Sequence, residues 1–171
     1  MGLRLRTALL AFFAGLCTIF SLANGASAQG RTAGAVALVG ILGGDEKGAA
    51  GIADLYTELG VLRLGLGLGV GVVSNPNGER SRAFTPFGVS TTLVLGAEQA
   101  AGLELRGRFG FWGGATDHGL RSGAWGSIGG WVRISLGSRA AFLLGCDLWF
   151  QTNTERAMYI VPGLGFSWSS S

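Results

Sequence analysis

The run from Leu62 to Val73 restricts the fold of this chain more than any other stretch. Leu62, Leu64, Leu66, Leu68, Val70 and Val72 occupy the even positions, and Arg63, Gly65, Gly67, Gly69 and Gly71 the odd ones. A strand sends successive side chains to opposite faces, so strict period two gathers every branched aliphatic on one side. The other face carries almost no side chain. A soluble sheet would solvate that second face and place Thr, Lys or Glu on it. Glycine instead weakens the strand and leaves room for another backbone, or for bulky side chains from across a barrel. The run therefore reads as a wall strand of a small membrane barrel. The competing reading, a transmembrane helix over Leu59 to Val73, would be short and broken by Arg63 and alternate glycines.

Residues 1–28 stand apart from the fold. Arg4 and Arg6 give a basic start, Ala8 to Ala23 is an apolar run, and Ala26-Ser27-Ala28 is a small-x-small cleavage site. This is the pattern of a cleaved secretory signal peptide, with an uncleaved membrane anchor as the alternative. Leu16 before Cys17 does not fit a lipoprotein signal. The remaining 29–171 suffices for one domain. Without Arg4 and Arg6 the 13 basic residues fall to 11 against 10 acids, so nothing points to a nucleic-acid partner. Cys146 is then the one cysteine left, which rules out an intrachain disulfide. Glycine supplies 32 of 171 residues, far above the usual ~7%, yet without a collagen period.

The same alternation recurs with turn chemistry between segments. Ala35 to Leu42 is a first apolar run with no assignable face, and Gly43 to Gly48 a loop. Ala49 to Glu58 alternates poorly and reads as a strand or as a short helix over Ala53 to Leu59. Ser74 to Arg82 is a polar loop. Phe87, Val89, Thr91, Leu93 and Leu95 line one face of the next segment; Leu103, Leu105, Phe109 and Phe111 do so after a turn at 97–101. Gly114 to Ser122 reads as a second long loop. Ile128, Val132, Ile134 and Leu136, then Phe142, Leu144, Cys146, Leu148 and Phe150, form two more rows about a turn at 137–139. After a loop at 153–156, Met158, Ile160, Leu164, Phe166 and Trp168 complete the pattern. Long loops alternate with short turns, as in barrels with short periplasmic turns and longer external loops. An even strand number makes 49–58 a strand. The expected fold is all-β, an antiparallel up-and-down transmembrane β-barrel of eight strands.

The charges orient the faces. Arg63, Glu104, Arg106, Arg108, Arg133 and Asp147 all fall opposite the aliphatic rows. An arginine facing lipid near the midplane would cost about 2–4 kcal/mol. A soluble lipocalin-like binder would invert this, with charges outside. An exterior of Gly, Trp, Ser and a few Arg, with Lys47 the one lysine, argues against it. Eight strands leave an interior just wide enough to be filled by side chains, here Trp125, Trp131, Trp149 and the six charged residues. Counting through the hairpins sets Glu104 nearly opposite Arg133, and Asp147 within reach of Arg106 or Arg108. The expectation is a lumen plugged by ion pairs, with no open pore; the alternative is a transport or ligand-carrying barrel with a small pore.

Gly163-Leu-Gly-Phe-Ser-Trp168 has the form Gly-x-x-aromatic-x-aromatic. It resembles the terminal-strand signal of bacterial outer-membrane proteins, carried by Gly163, Phe166 and Trp168. Val161 and the trailing Ser169 to Ser171 depart from that pattern. Over residues 33–168 the chain resembles small outer-membrane barrels of the OmpA/OmpX type, in architecture alone. The resemblance implies export to the cell outer membrane, insertion by the barrel assembly machinery and structural or surface-interaction roles. The implied partners are outer-membrane lipid and lipopolysaccharide, and a monomer is expected.

No motif carries catalytic chemistry. His118, beside Asp117 and near Ser122, does not reproduce the spacing of lipid A hydrolases and reads as a solvated loop histidine. The glycines of 65–71 mimic nucleotide loops without a strand-to-helix context. No cluster has metal-ligand spacing, and no cofactor is expected. Arg80, Arg82 and Arg121 in external loops would meet lipopolysaccharide phosphates, or else be plain solvated charges.

Overall fold

The computed structural model describes residues 31–74, 81–96, 99–116, 119–154 and 158–170. The signal segment 1–28 lies outside them, as do Arg80, Asp117 and His118.

Eight strands run β1 (Arg31–Gly43), β2 (Glu46–Leu59), β3 (Leu62–Ser74), β4 (Ser81–Leu95), β5 (Ala101–Thr116), β6 (Gly119–Ser135), β7 (Ala140–Gln151) and β8 (Met158–Ser169). Each pairs antiparallel with its neighbours, and β8 returns to β1 to close the barrel. Leu62 to Ser74 is thus a strand and not a membrane helix. Residues 49–58 belong wholly to β2, which also settles that segment as strand.

The register is staggered. Stepping from Glu104 to its partner Trp131, then through Gly145, Gly163, Val39, Ala50, Gly71 and Phe84, returns to β5 at Gly114, ten residues along. Closing a sheet with such a shear forces the strands to tilt against the barrel axis. Two prolines interrupt the ladders. Pairing of β1 with β8 skips from Val39–Gly163 to Leu42–Ile160 around Pro162. Pairing of β3 with β4 skips from Leu68–Phe87 to Gly71–Phe84 around Pro86. Proline has no N–H to give to a ladder.

The turns correct two expectations. Between β1 and β2 only Gly44 and Asp45 turn the chain, so most of the expected loop 43–48 is strand. Gly44 (φ 54°) and Gly60 (φ 67°) open two-residue hairpins at the left-handed first position that type II′ turns reserve for glycine. The expected loop 114–122 is also largely strand, with β5 running to Thr116 and β6 starting at Gly119. Glycine-rich Gly113, Gly114, Gly119 and Gly123 looked like loop chemistry but pair across the hairpin. The expected contrast of long loops at one end and short turns at the other does not hold for these two connections.

The barrel is greasy outside and packed inside. Leu66 is 67% exposed, Phe109 66% and Ile128 63% on the outer face. Trp131, Trp149 and Glu104 are fully buried on the inner one. Soluble monomers rarely expose apolar patches beyond a few hundred Å², so the lipocalin-like inversion is excluded. β1, whose face could not be assigned, turns Ala33, Ala35, Ala37, Val39 and Ile41 inward.

Candidate functional site: the polar lumen

All six charged residues expected inside lie inside, buried on β3, β5, β6 and β7. Alternation places them there: Glu104, Arg106 and Arg108 share the inner face of β5, and Trp112 continues the row. The stagger then decides which of them meet.

At the end of the barrel that carries the termini, Glu104 is the hub. Its Oε2 accepts from Arg106 Nε at 3.1 Å and Nη2 at 2.5 Å. Its Oε1 faces Arg63 Nη1 at 3.4 Å and Arg133 Nε at 3.7 Å. The Cα partner of Glu104 is Trp131, while that of Arg133 is Gly102, so this ion pair is diagonal rather than opposite. Arg63 also holds Glu58 at 2.7 Å.

Midway along the lumen, Arg108 spans it. It grips Asp54 with Nε–Oδ1 at 3.1 Å and Nη2–Oδ2 at 2.7 Å, a two-pronged geometry that suits the planar guanidinium. Its Nη1 reaches Asp147 Oδ2 at 2.9 Å. The second oxygen of Asp147 accepts the indole N–H of Trp131 at 2.7 Å, and the Arg106 guanidinium lies 4.8 Å over the Trp131 ring. Arg108, not Arg106, is therefore the partner of Asp147.

Above this tier sits an aromatic one. Trp149 meets Trp125 edge-on at 5.6 Å and Phe84 edge-on at 6.1 Å. Beyond it, at the end away from the termini, Arg82 faces inward rather than into a loop. Its guanidinium lies 5.5–5.7 Å from the rings of Phe84, Trp112 and Tyr159. It donates to the Tyr159 hydroxyl, which in turn donates to Glu46 at 2.5 Å. Arg82 is thus committed to the lumen and turned away from any lipid headgroup.

The glycines make room for this network. A Cβ on Gly67 would come within 2.5 Å of Asp54 Oδ1, and one on Gly129 within 1.9 Å of Asp147 Oδ1. A Cβ on Gly145 would meet the Trp131 ring at 2.6 Å. On β3 itself the space goes to Asp54, Arg108, Phe84 and Pro86, while Trp112 takes up the space at Gly123 of β6 and Trp131 that at Gly145 of β7 and Gly163 of β8.

Sequence reasoning missed Glu46, Asp54, Tyr56, Glu58, Arg82 and Trp112. Asp54, Tyr56 and Glu58 share one parity, a signal obscured because the other face of β2 (Ala49, Gly51, Ala53) is too small to look lipid-facing. With them the network balances: Arg63, Arg82, Arg106, Arg108 and Arg133 against Glu46, Asp54, Glu58, Glu104 and Asp147.

Gly163 pairs with Val39 of β1 and Gly145 of β7. Phe166 and Trp168 lie on the outer face with rings stacked at 6.4 Å. Trp168 is half-buried because it lies over Gly34, where a Cβ would approach its ring to 2.2 Å. Cys146 is exposed on the outer face.

No protein-family model matches the chain, and neither does any curated protein sequence. Among solved structures, the chain is similar to Neisserial surface protein A (NspA), with a TM-score of 0.65 at 11% identity, over 82% of this chain and 97% of that one. It is also similar to the N-terminal β-barrel domain of Pseudomonas aeruginosa OprF, with a TM-score of 0.55 at 12% identity, over 83% of this chain and 100% of that one. At such identities the likeness is one of fold, and the chain has the eight-stranded antiparallel architecture of small outer-membrane barrels.

Proposed function

We propose that this chain is an integral outer-membrane barrel, exported behind its N-terminal signal, monomeric and non-enzymatic. Its lumen is filled by side chains and holds no open pore. Its role is structural, or one of interaction through the end away from the termini. The observation that carries this reading is the continuous packing of the interior. Glu104, Trp131 and Trp149 are 0% exposed, and Arg106 and Arg108 are 2% and 5% exposed. Among the described residues ten opposite charges pair off within that interior, leaving no unbalanced lining there to conduct a chosen ion. The outer aliphatic band supports lipid as the surrounding phase, since a spanning sheet must close to satisfy its backbone. Gly163, Phe166 and Trp168 on the last strand serve as the signal read by the barrel assembly machinery.

Planar-bilayer recording on the purified protein tests the closed lumen. The expected result is no stable conductance; a steady nanosiemens-scale current would overturn the reading. Membrane fractionation with heat-dependent gel mobility tests the location, and recovery in the soluble periplasm would overturn it.

A further inference from the structure

Four tryptophans turn into the lumen, and they divide into two pairs. The Trp112 indole N–H donates to Thr152 O at 3.0 Å, and that of Trp131 to Asp147 Oδ1 at 2.7 Å. The indole nitrogens of Trp125 and Trp149 are just as buried, yet neither has a hydrogen-bond partner among the described residues. One acceptor beside them shares that condition, Oε1 of the buried Gln151. Strand pairing sets the three together. Trp125 and Gln151 are cross-strand partners on β6 and β7, and Trp149 is the next inward residue of β7 below Gln151. The residue facing Trp149 is Ser127, whose Oγ is engaged by Arg108 Nη1 at 3.4 Å.

A buried polar atom without a partner weakens folding by about tenfold. Three in one corner of a packed lumen therefore call for a ligand, and what the corner offers defines it: two N–H donors and one carbonyl acceptor. Water matches that set. Its oxygen accepts from both indoles while one proton goes to the carboxamide oxygen, within the two to four polar partners that hold a buried water. A halide would take the two N–H groups but face the oxygen of Gln151, and a metal cation would face the two N–H groups. The rings leave room for something small. Trp149 meets Trp125 at 88° and Phe84 at 90°, and rings crossed at right angles leave a wedge at their edges that parallel rings would close.

We infer that this corner is a water-binding site, in which one bound water bridges the indoles of Trp125 and Trp149 to the carboxamide of Gln151 and ties β6 to β7 from inside the barrel. The inference goes beyond the reading above and concerns the folded barrel whatever surrounds it. The full-length protein, labelled with nitrogen-15 and folded in nanodiscs, is examined by water-selective cross-relaxation, with Trp125→Phe and Trp149→Phe used to assign the indole signals. Water cross-peaks should appear at the indole protons of Trp125 and Trp149 and be missing at Trp131, which is bonded to Asp147. Absence of both peaks, or equal peaks at Trp131, would overturn the site, as would indole shifts that follow chloride concentration. Gln151→Met keeps the length of the side chain and removes the acceptor. It should weaken both cross-peaks and raise the unfolding constant, measured in urea with lipid vesicles, by about tenfold. If the three groups were dry, the same substitution would relieve one of them and lower the unfolding constant, which would also overturn the inference.

Discussion

The inner faces of β1 and β5 look at each other across the lumen, since an eight-stranded barrel sets its first and fifth strands opposite. β1 presents Ala33, Ala35, Ala37, Val39 and Ile41, all buried. β5 presents Glu104, Arg106, Arg108 and Trp112, among the longest side chains available, and equally buried. Neither face would pack against a copy of itself. Two walls like β5 would overfill the barrel with charge, and two like β1 would leave it hollow. A lumen this narrow is filled by long side chains on one wall reaching into space surrendered by the other. The glycine face of β3 is a second place where space is surrendered, and there Arg108 and Asp54 take it up.

The sharpest way to break this arrangement is to remove the hub. Glu104→Ala would remove the carboxylate on which Arg63, Arg106 and Arg133 converge, while Arg63 keeps Glu58. Stripping one partner from a buried ionic cluster costs about 3–5 kcal/mol, read from equilibrium urea unfolding in lipid vesicles. Next comes a test of the two surfaces rather than the two walls. Leu66→Arg, on the outer face of β3 and 67% exposed, should cost about 2–4 kcal/mol in the bilayer. Arg63, three residues earlier on the inner face, is a charge the fold requires. The same side chain is thus penalised or demanded according to parity. Filling the small wall follows: Ala35→Leu on β1 should destabilise by about 1–3 kcal/mol through overpacking. A smaller change to leucine on the lipid-facing side of β4, Val89→Leu, should be near neutral by the same measurement. Smallest of all, Thr92→Val removes the 3.2 Å bond between the Thr92 hydroxyl and Tyr56 and should cost about 0.5–1.5 kcal/mol.

Much of this could be read in the residues, and what could not has identifiable causes. Parity on β3 to β8 was plain because one face of each carried large aliphatics and the other carried glycine, tryptophan or charge. β1 hid its parity because alanine and valine suit either face. β2 hid it for the opposite reason, with an outer face of Ala49, Gly51 and Ala53 too small to look lipid-facing and an inner face mixing Ile52 with Asp54. Asp54 and Glu58 therefore went unassigned to the lumen, although Asp54 is the principal partner of Arg108. Pairings across the lumen were beyond reach for a geometric reason. The ten-residue stagger sets the height of every side chain, and no local pattern encodes it. Composition misled at Gly43 to Gly48 and Gly114 to Ser122, where turn-forming residues continue as ladder. It misled again at Arg82, whose polar neighbourhood suggested solvent but whose ring of aromatics lies within the barrel.

The break in pairing at Pro162 has a mechanical consequence. Most of the cylinder is held by unbroken ladders, so pulling it apart means breaking bonds in long cooperative rows. Two of the ladders pause midway for want of one amide hydrogen, that of β3 with β4 and the line where the first and last strands meet. That line is also the one joint whose two strands are connected by no hairpin. The barrel is therefore a zipper with a designated end: forced or denaturant-driven opening should begin along β1 and β8 and travel outward through the hairpins. Amides flanking Val39 and Gly163 should exchange their protons before those of β5 and β6.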